Sequence, residues 1–279
     1  MTAIFNNNDL KKLYVLPVDS SKGQNGQVTI IGGSHLFHGA PLFSLVTASR
    51  IVDMVFFGSP ESSVGVVAEK LKSRLLSFIW VPWNEIEEYI KKSDAILIGP
   101  GLMRYRGEGQ EVEGKRQELD SEGTKTKNIT EKLLKKFPDK KWVIDAGSLQ
   151  VLDPEWIPNM AILTPNKKEY KMIFGNLDPQ EAAKRYNCVI VLKGLITEVF
   201  SPDNQIEVRG GNPGLTKGGS GDVESGLTVA FLAKNDPFLA AASSSFIVKK
   251  TADLLFKEFG TNYNSDDLAS KVPEVLKNN

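Results

Sequence analysis

Thirteen consecutive residues carry the strongest chemical signal: Gly210-Gly211-Asn212-Pro213-Gly214-Leu215-Thr216-Lys217-Gly218-Gly219-Ser220-Gly221-Asp222. They lead straight into an amphipathic stretch beginning at Val223. Glycines let backbone N–H groups approach an anion, and a helix N-terminus adds partial positive charge, so this pattern reads as a phosphate cradle. It is not a Walker A loop, because no Gly-Lys-Ser/Thr closes it. No strand directly precedes these glycines, as a dinucleotide fingerprint requires. Asp222 ends the turn. A carboxylate at a helix N-terminus has its charged form favoured, so Asp222 is expected to be ionised at neutral pH. Beside bound phosphates it can take the proton of a substrate hydroxyl whose oxygen attacks the terminal phosphorus. Phosphoryl transfer rests on positioning and charge neutralisation, so a weak base suffices. Aspartate here is also an ordinary helix cap, but four glycines among the nine residues before it favour a site.

Such a turn needs a scaffold, and the sequence supplies one. Val28–Ile31, Ala95–Ile98, Val143–Ile144, Ala161–Leu163 and Val189–Leu192 are short apolar runs. They end respectively in Gly32-Gly33-Ser34, Gly99-Pro100-Gly101, Asp145-Ala146-Gly147, Thr164-Pro165-Asn166 and Lys193-Gly194. Runs that are apolar throughout fit strands covered on both faces. Pro41–Val52, Val64–Ser73, Ile129–Phe137 and Lys167–Phe174 have helical periodicity. The alternation predicts an α/β fold with a central, mainly parallel sheet, right-handed crossovers and helices on both faces. Beyond Lys193, Thr197–Ser201 and Gln205–Arg209 read as a hairpin turning at Pro202-Asp203-Asn204. Helices follow at about 221–233 and 237–259, with a short one at about 266–276. Ligands of open α/β sheets bind beyond the carboxyl ends of the strands, where these five turns should gather.

The bulk numbers bound the function. The 279 residues, 41% hydrophobic and 24% charged, fit a single large domain, 1–279. Residues 103–127, with twelve charges in twenty-five positions, read as a charged surface insertion. The formal net charge is zero, which argues against nucleic acid or an anionic membrane as the main partner. One cysteine and two histidines leave no disulfide and little material for a metal centre, and no metal-ligating set is expected. Met1–Leu10 has no apolar core of signal-peptide length and no run spans a bilayer, so the expected compartment is the cytoplasm.

The chain resembles the ribokinase-like superfamily, whose signature is a glycine-rich turn ending in a catalytic aspartate. Within it, the chain is similar to the NAD(P)H-hydrate dehydratase family. The residues carrying that resemblance are Gly32-Gly33-Ser34 with Gly39-Ala40-Pro41, Gly99-Pro100-Gly101, Lys193-Gly194, and Gly211-Asn212-Pro213-Gly214 leading into Gly218-Gly219-Ser220-Gly221-Asp222. The resemblance implies ADP- or ATP-dependent dehydration of hydrated NADH or NADPH (NAD(P)HX) through phosphorylation of the ring hydroxyl and loss of phosphate. Asp222 would be the catalytic base. The N–H groups of Gly219, Ser220 and Gly221 would form the anion hole. Lys193, Gly194, Leu195, Ile196, Thr197 and Gly221 would contact the nucleotide, with Mg²⁺ between the phosphates. Ala40, Gly101, Asn166 and Asp222 would meet the hydrate. Asn166 stands where the family usually has histidine, Lys217 where it has a small residue, and Glu224 where it has an apolar one. Relatives commonly assemble, so a homo-oligomer is expected, and at this length no fused epimerase domain is expected. The alternative is a kinase for a small vitamin-precursor alcohol, since Thr-Pro-Asn also occurs in such enzymes.

Several other residues have two readings. Asp145 ends a strand and either holds Mg²⁺ through water or hydrogen-bonds a neighbouring turn. Lys193 either meets phosphate or covers apolar surface with its stem. His35 and His38 are read as surface or helix-start residues without a catalytic role. Cys188 reads as a small core residue, and Trp80 and Trp83 as packing or a subunit contact.

Overall fold

Every apolar run that the sequence ends in a glycine or polar turn becomes a strand of one ten-stranded sheet. A computed structural model of the chain describes residues 2–105 and 121–277. In chain order the elements begin with β1 (Ala3–Ile4), α1 (Asn7–Leu10), β2 (Gln27–Ile31), α2 (Gly39–Ala48), β3 (Met54–Gly58), α3 (Ser62–Leu71), β4 (Ile79–Trp80), α4 (Ile86–Lys92) and β5 (Ala95–Ile98). Then come α5 (Ser121–Lys136), β6 (Lys141–Ile144), α6 (Ala146–Leu149), β7 (Ile162–Leu163), α7 (Lys167–Phe174), α8 (Pro179–Arg185), β8 (Val189–Leu192), β9 (Thr197–Phe200) and β10 (Gln205–Val208). Three helices close the chain: α9 (Ser220–Leu232), α10 (Pro237–Phe259) and α11 (Ser265–Lys277).

The strand order is β1-β10-β9-β8-β7-β6-β5-β2-β3-β4. Pairing is parallel except where β9 meets β8 and β10, which is the predicted hairpin. Each central strand sends alternate side chains to two separate cores. Val28 and Ile30 of β2, Leu97 of β5 and Val143 of β6 pack with Leu45, Val64, Val223, Leu227 and Ile247 of α2, α3, α9 and α10. Ile31, Ile96, Ile98 and Ile144 face the other side, against Ile90, Leu133, Leu134 and Ile173 of α4, α5 and α7. Both faces are therefore covered, as apolar strands demand.

The expectation of a surface loop over 103–127 needs correcting at both ends. Met103 is buried, and residues 121–127 are the first turns of α5. Gly123, Thr126, Thr130, Leu133 and Leu134 line its buried stripe, while Glu122 and Lys125 pair on the outside. Small and polar residues supply three of those five positions, so the charges mask the stripe's periodicity. Residues 106–120 of the expected insertion lie outside the described part. Trp80 packs edge-on against Phe57, and Cys188 is buried with its thiol pushed up to about 12 by that burial.

Candidate active site

The five strand-end turns meet on one rim because their strands are adjacent in the sheet. Gly33 donates to the Pro100 carbonyl at 2.8 Å, and Gly147 to that of Gly99 at 3.3 Å. Lys193 donates to Pro165 at 2.9 Å and bridges to Asn166. Asp145, buried at the end of β6, ties two of these turns with one oxygen. Its Oδ1 accepts from Thr164 Oγ1 at 2.6 Å and from Lys193 Nζ at 3.2 Å. Asp145 thus hydrogen-bonds neighbouring turns, as one of its two readings had it, whereas neither reading of Lys193 included this carboxylate.

The turn before α9 is held from four sides. Gly211 donates to Asp253 Oδ2 at 3.1 Å, and Asn212 Oδ1 accepts from Gly214 N at 3.0 Å and from Tyr263 Oη at 2.8 Å. Ser265 at the start of α11 donates to the Gly218 carbonyl at 2.7 Å. Lys217 turns away and donates to the carbonyls of Thr261 and Tyr263. Ser44 of α2 donates to the Asp222 carbonyl at 2.8 Å. Gly219 is left-handed (φ 95°), and a Cβ there would fall 2.6 Å from the Phe43 ring. Only glycine satisfies both demands without a shift.

This bracing aims the end of α9 at a cavity. Among the described residues, the N–H groups of Gly219, Gly221 and Asp222 find no protein acceptor. That of Ser220 reaches the Lys217 carbonyl at 3.4 Å, so of the three predicted anion-hole donors it is the one already partly engaged. The ammonium of Lys193 comes within 3.7 Å of where a Cβ on Gly221 would stand. The carboxylates of Asp145, Glu224 and Glu169 hold that ammonium above its ordinary pKa, against burial, the largest single influence, which opposes the charge.

Asp222 departs from expectation. Burial, reinforced by the charge of Asp145 and opposed by Lys193, raises its carboxyl to about 7. Burial therefore outweighs the helix dipole, and the shift runs opposite to the fully ionised carboxylate expected from the sequence. That places it where a general base exchanges protons most readily.

The cavity measures about 480 Å³ and lies between the turn, the β8–β9 connection and α10. Lys193, Gly194, Leu195, Thr197 and Gly221 of the predicted nucleotide set line it, whereas Ile196 does not. Glu224, Ser245, Val248 and Lys249 line it too, and sequence reasoning had assigned none of them a binding role. Lys249 is buried and donates to the carbonyls of Gly194 (3.2 Å), Leu195 (2.7 Å) and Gly210 (3.2 Å), pinning both walls together. A lysine four residues after Ser245 on an otherwise buried helical face was its one sequence signal. Burial depresses its pKa, and Glu224 and Asp253 oppose that shift.

The predicted hydrate contacts lie along the rim, outside this cavity. Ala40 is in the first turn of α2, and Gly101 is buried beneath the β2–α2 turn, with left-handed backbone (φ 71°). A smaller cavity of about 60 Å³ opens beside them, lined by Gly33, Ser34, Leu102 and Met103 with the start of α5. Asn166 is exposed, and its Oδ1 caps α7 by accepting from Lys168 N at 2.9 Å and Glu169 N at 3.0 Å. His38 bonds Ser63 at 3.2 Å, away from the turn.

A mainly parallel sheet flanked by helices, with an aspartate at a glycine-braced helix start, is the architecture of ribokinase-like proteins. A ribokinase-like superfamily protein from Enterococcus faecalis superposes with a TM-score of 0.80 at 20% identity, over 99% of this chain and 95% of that one. The ADP/ATP-dependent NAD(P)H-hydrate dehydratase of Bacillus subtilis, co-crystallised with ATP/Mg²⁺, gives 0.76 at 22% identity over 99% and 98%. Residues 28–274 match the model of the NAD(P)H-hydrate dehydratase family, and the chain belongs to that family. It is 37% identical to a bifunctional NAD(P)H-hydrate repair enzyme of Methanocaldococcus jannaschii over 96% of this chain and 52% of that protein. It is 27% identical to an ADP-dependent (S)-NAD(P)H-hydrate dehydratase of Nitrosopumilus maritimus over 92% and 91%. The chain spans about half the length of the bifunctional relatives it matches.

Proposed function

We propose that this chain dehydrates hydrated NADH or NADPH at the expense of ADP or ATP. The observation that carries the reading is the start of α9, where Gly221 and Lys193 line a nucleotide-sized cavity and Asp222, which does not itself line it, lies close enough to Lys193 and Asp145 to feel their charges. The hydrate's ring hydroxyl gives its proton to Asp222 as its oxygen attacks the terminal phosphorus. The bond from that phosphorus to the rest of the nucleotide breaks, leaving AMP from ADP or ADP from ATP. The ring nitrogen then expels inorganic phosphate, and loss of a proton from the adjacent carbon restores the reduced nicotinamide. The N–H groups of Gly219 and Gly221, with Lys193, bind the negative charge that the transfer moves.

The residues also fit Mg²⁺. Among the described residues no cluster of three or more His, Cys, Asp or Glu forms a protein cage. Mg²⁺ on nucleotides needs none, since it keeps several waters and takes one or two carboxylates besides phosphate. Asp145 and Asp222, close enough to perturb each other, would be the carboxylates to hold it. Bound with the phosphates, the ion would supply neutralisation of their charge.

Mixing the protein with hydrated NADH, Mg²⁺ and either nucleotide should restore the absorbance of reduced nicotinamide and release phosphate. No recovery with either nucleotide would sink the reading. A stable phosphorylated product would instead identify the alternative, a small-molecule kinase. The reading includes a cytoplasmic location and a homo-oligomer, the latter measurable by sedimentation.

A further inference from the structure

Glu224 puts a carboxylate into a cavity that, on the reading above, must accept a polyanion. One of its oxygens, Oε1, accepts from Ser245 Oγ of α10, and Oε2 has no partner among the described residues. The two lysines that share the cavity do not form ion pairs with it. Lys193 pairs with Asp145, and Lys249 is spent on three carbonyls. A negative group left in a phosphate-binding cavity weakens binding unless it receives hydrogen bonds from a neutral part of the ligand.

Its place along the cavity says which part. Ser220 and Gly221, which line the phosphate end, lie one helical turn before Glu224 on α9. Leu195, Leu215 and Val248 give the cavity its apolar lining, suited to a base. The neutral donors between phosphates and base in a nucleotide are the ribose hydroxyls, and a vicinal diol presents two O–H groups to one carboxylate. We propose that Glu224 is a specificity residue that binds the ribose diol of the nucleotide and so selects ribonucleotides over their deoxy forms.

The proposal rests on the nucleotide-dependent reading and is tested by calorimetric binding of ADP, 2′-deoxyADP, 3′-deoxyADP and inosine diphosphate to the whole chain. Wild type should bind ADP about ten- to a hundredfold more tightly than at least one deoxy form, the range for a hydrogen bond to a charged group. Glu224→Leu should lose that discrimination and weaken ADP by a similar factor, with the ratio of ADP to inosine diphosphate unchanged. Glu224→Gln, which keeps the shape, should lie between them. Thermal melts of both variants report folding, and the Gln form carries the test where the Leu form is unfolded. Equal wild-type affinity for ADP and both deoxy forms would overturn the proposal, as would undiminished ADP binding in the variants. A change confined to the inosine ratio would place the carboxylate at the base and overturn it as well. Wild type that binds no adenine nucleotide at all would defeat the functional reading itself, a separate outcome.

Discussion

Replacing Asp222 with asparagine should stop turnover and, above neutral pH, make the protein harder to unfold. The carboxyl is raised from 3.8 to about 7, chiefly by burial. At about 1.4 kcal/mol per pKa unit, keeping it charged in the folded state costs about 4 kcal/mol relative to the unfolded chain. An amide in the same place carries a desolvation cost of its own, about 1 kcal/mol, so the net gain at pH 8 should be about 3 kcal/mol. Between about pH 4 and about pH 7 the folded state holds a proton that the unfolded state has lost. Stability conferred by this group therefore falls as pH rises through that window, and the full penalty stands above about 7. The variant has no such proton to lose. Urea unfolding of both proteins at pH 4.5 and 8 should show the variant gaining about 3 kcal/mol on the wild type between the two conditions. Parallel pH dependence would mean that Asp222 is solvated in the folded state, and the argument for a base poised near neutrality would fail. In wild type, the same group should give kcat/KM an acid limb with an apparent pKa near 7, since only the deprotonated form accepts the substrate's proton.

The other predictions follow from single contacts. Lys193→Met leaves Asp145, only 2% exposed, without its cation. Because the lysine side chain is itself 24% exposed, urea unfolding should show a loss of about 2–3 kcal/mol, below the usual range for a broken buried pair, together with weaker ADP binding. Gly219→Ala combines left-handed backbone with a Cβ 2.6 Å from Phe43. It should lower stability by about 1–2 kcal/mol from the backbone alone and reduce kcat/KM by about a hundredfold as the anion-binding turn shifts. Cys188, buried with its thiol at about 12, should resist an aromatic disulfide reagent at pH 8 until denaturant is added; prompt labelling of the native protein would place it at the surface.

How much of this was legible depended on whether a feature is local. The five apolar runs with their glycine or polar ends were readable as parallel strands, because burial on both faces imprints a continuous apolar signature on a few adjacent residues. The two-residue strands β1 and β4 carry no period long enough to read, and they exist because an edge strand offers them partners. The start of α5 was misread because its buried stripe uses glycine and threonine rather than aliphatic residues. The glycine-rich turn before α9 was legible since glycine content and a following helix lie side by side in the chain. The pairing of Lys193 with Asp145 and the reach of Lys249 to Gly194 and Gly210 span 39 to 55 residues, and no local pattern announces them.

Asp222 shows how a residue picked out by its place in the chain can carry a different charge from the one its local sequence suggests. Proximity to a helix N-terminus is a one-dimensional fact, and its effect, about 0.3–1 kcal/mol toward the charged form, can be read from the sequence. Burial is a three-dimensional quantity, here involving α2, whose Ser44 bonds the Asp222 carbonyl, and the charge of Asp145, arriving from β6, adds its repulsion. Their net effect, about 4 kcal/mol, exceeds the dipole severalfold. The direction of the shift therefore had to reverse once the neighbours were in place. That reversal would suit the proposed chemistry: a base held near 7 would accept a hydroxyl proton during transfer and release it afterwards with little driving force wasted in either step.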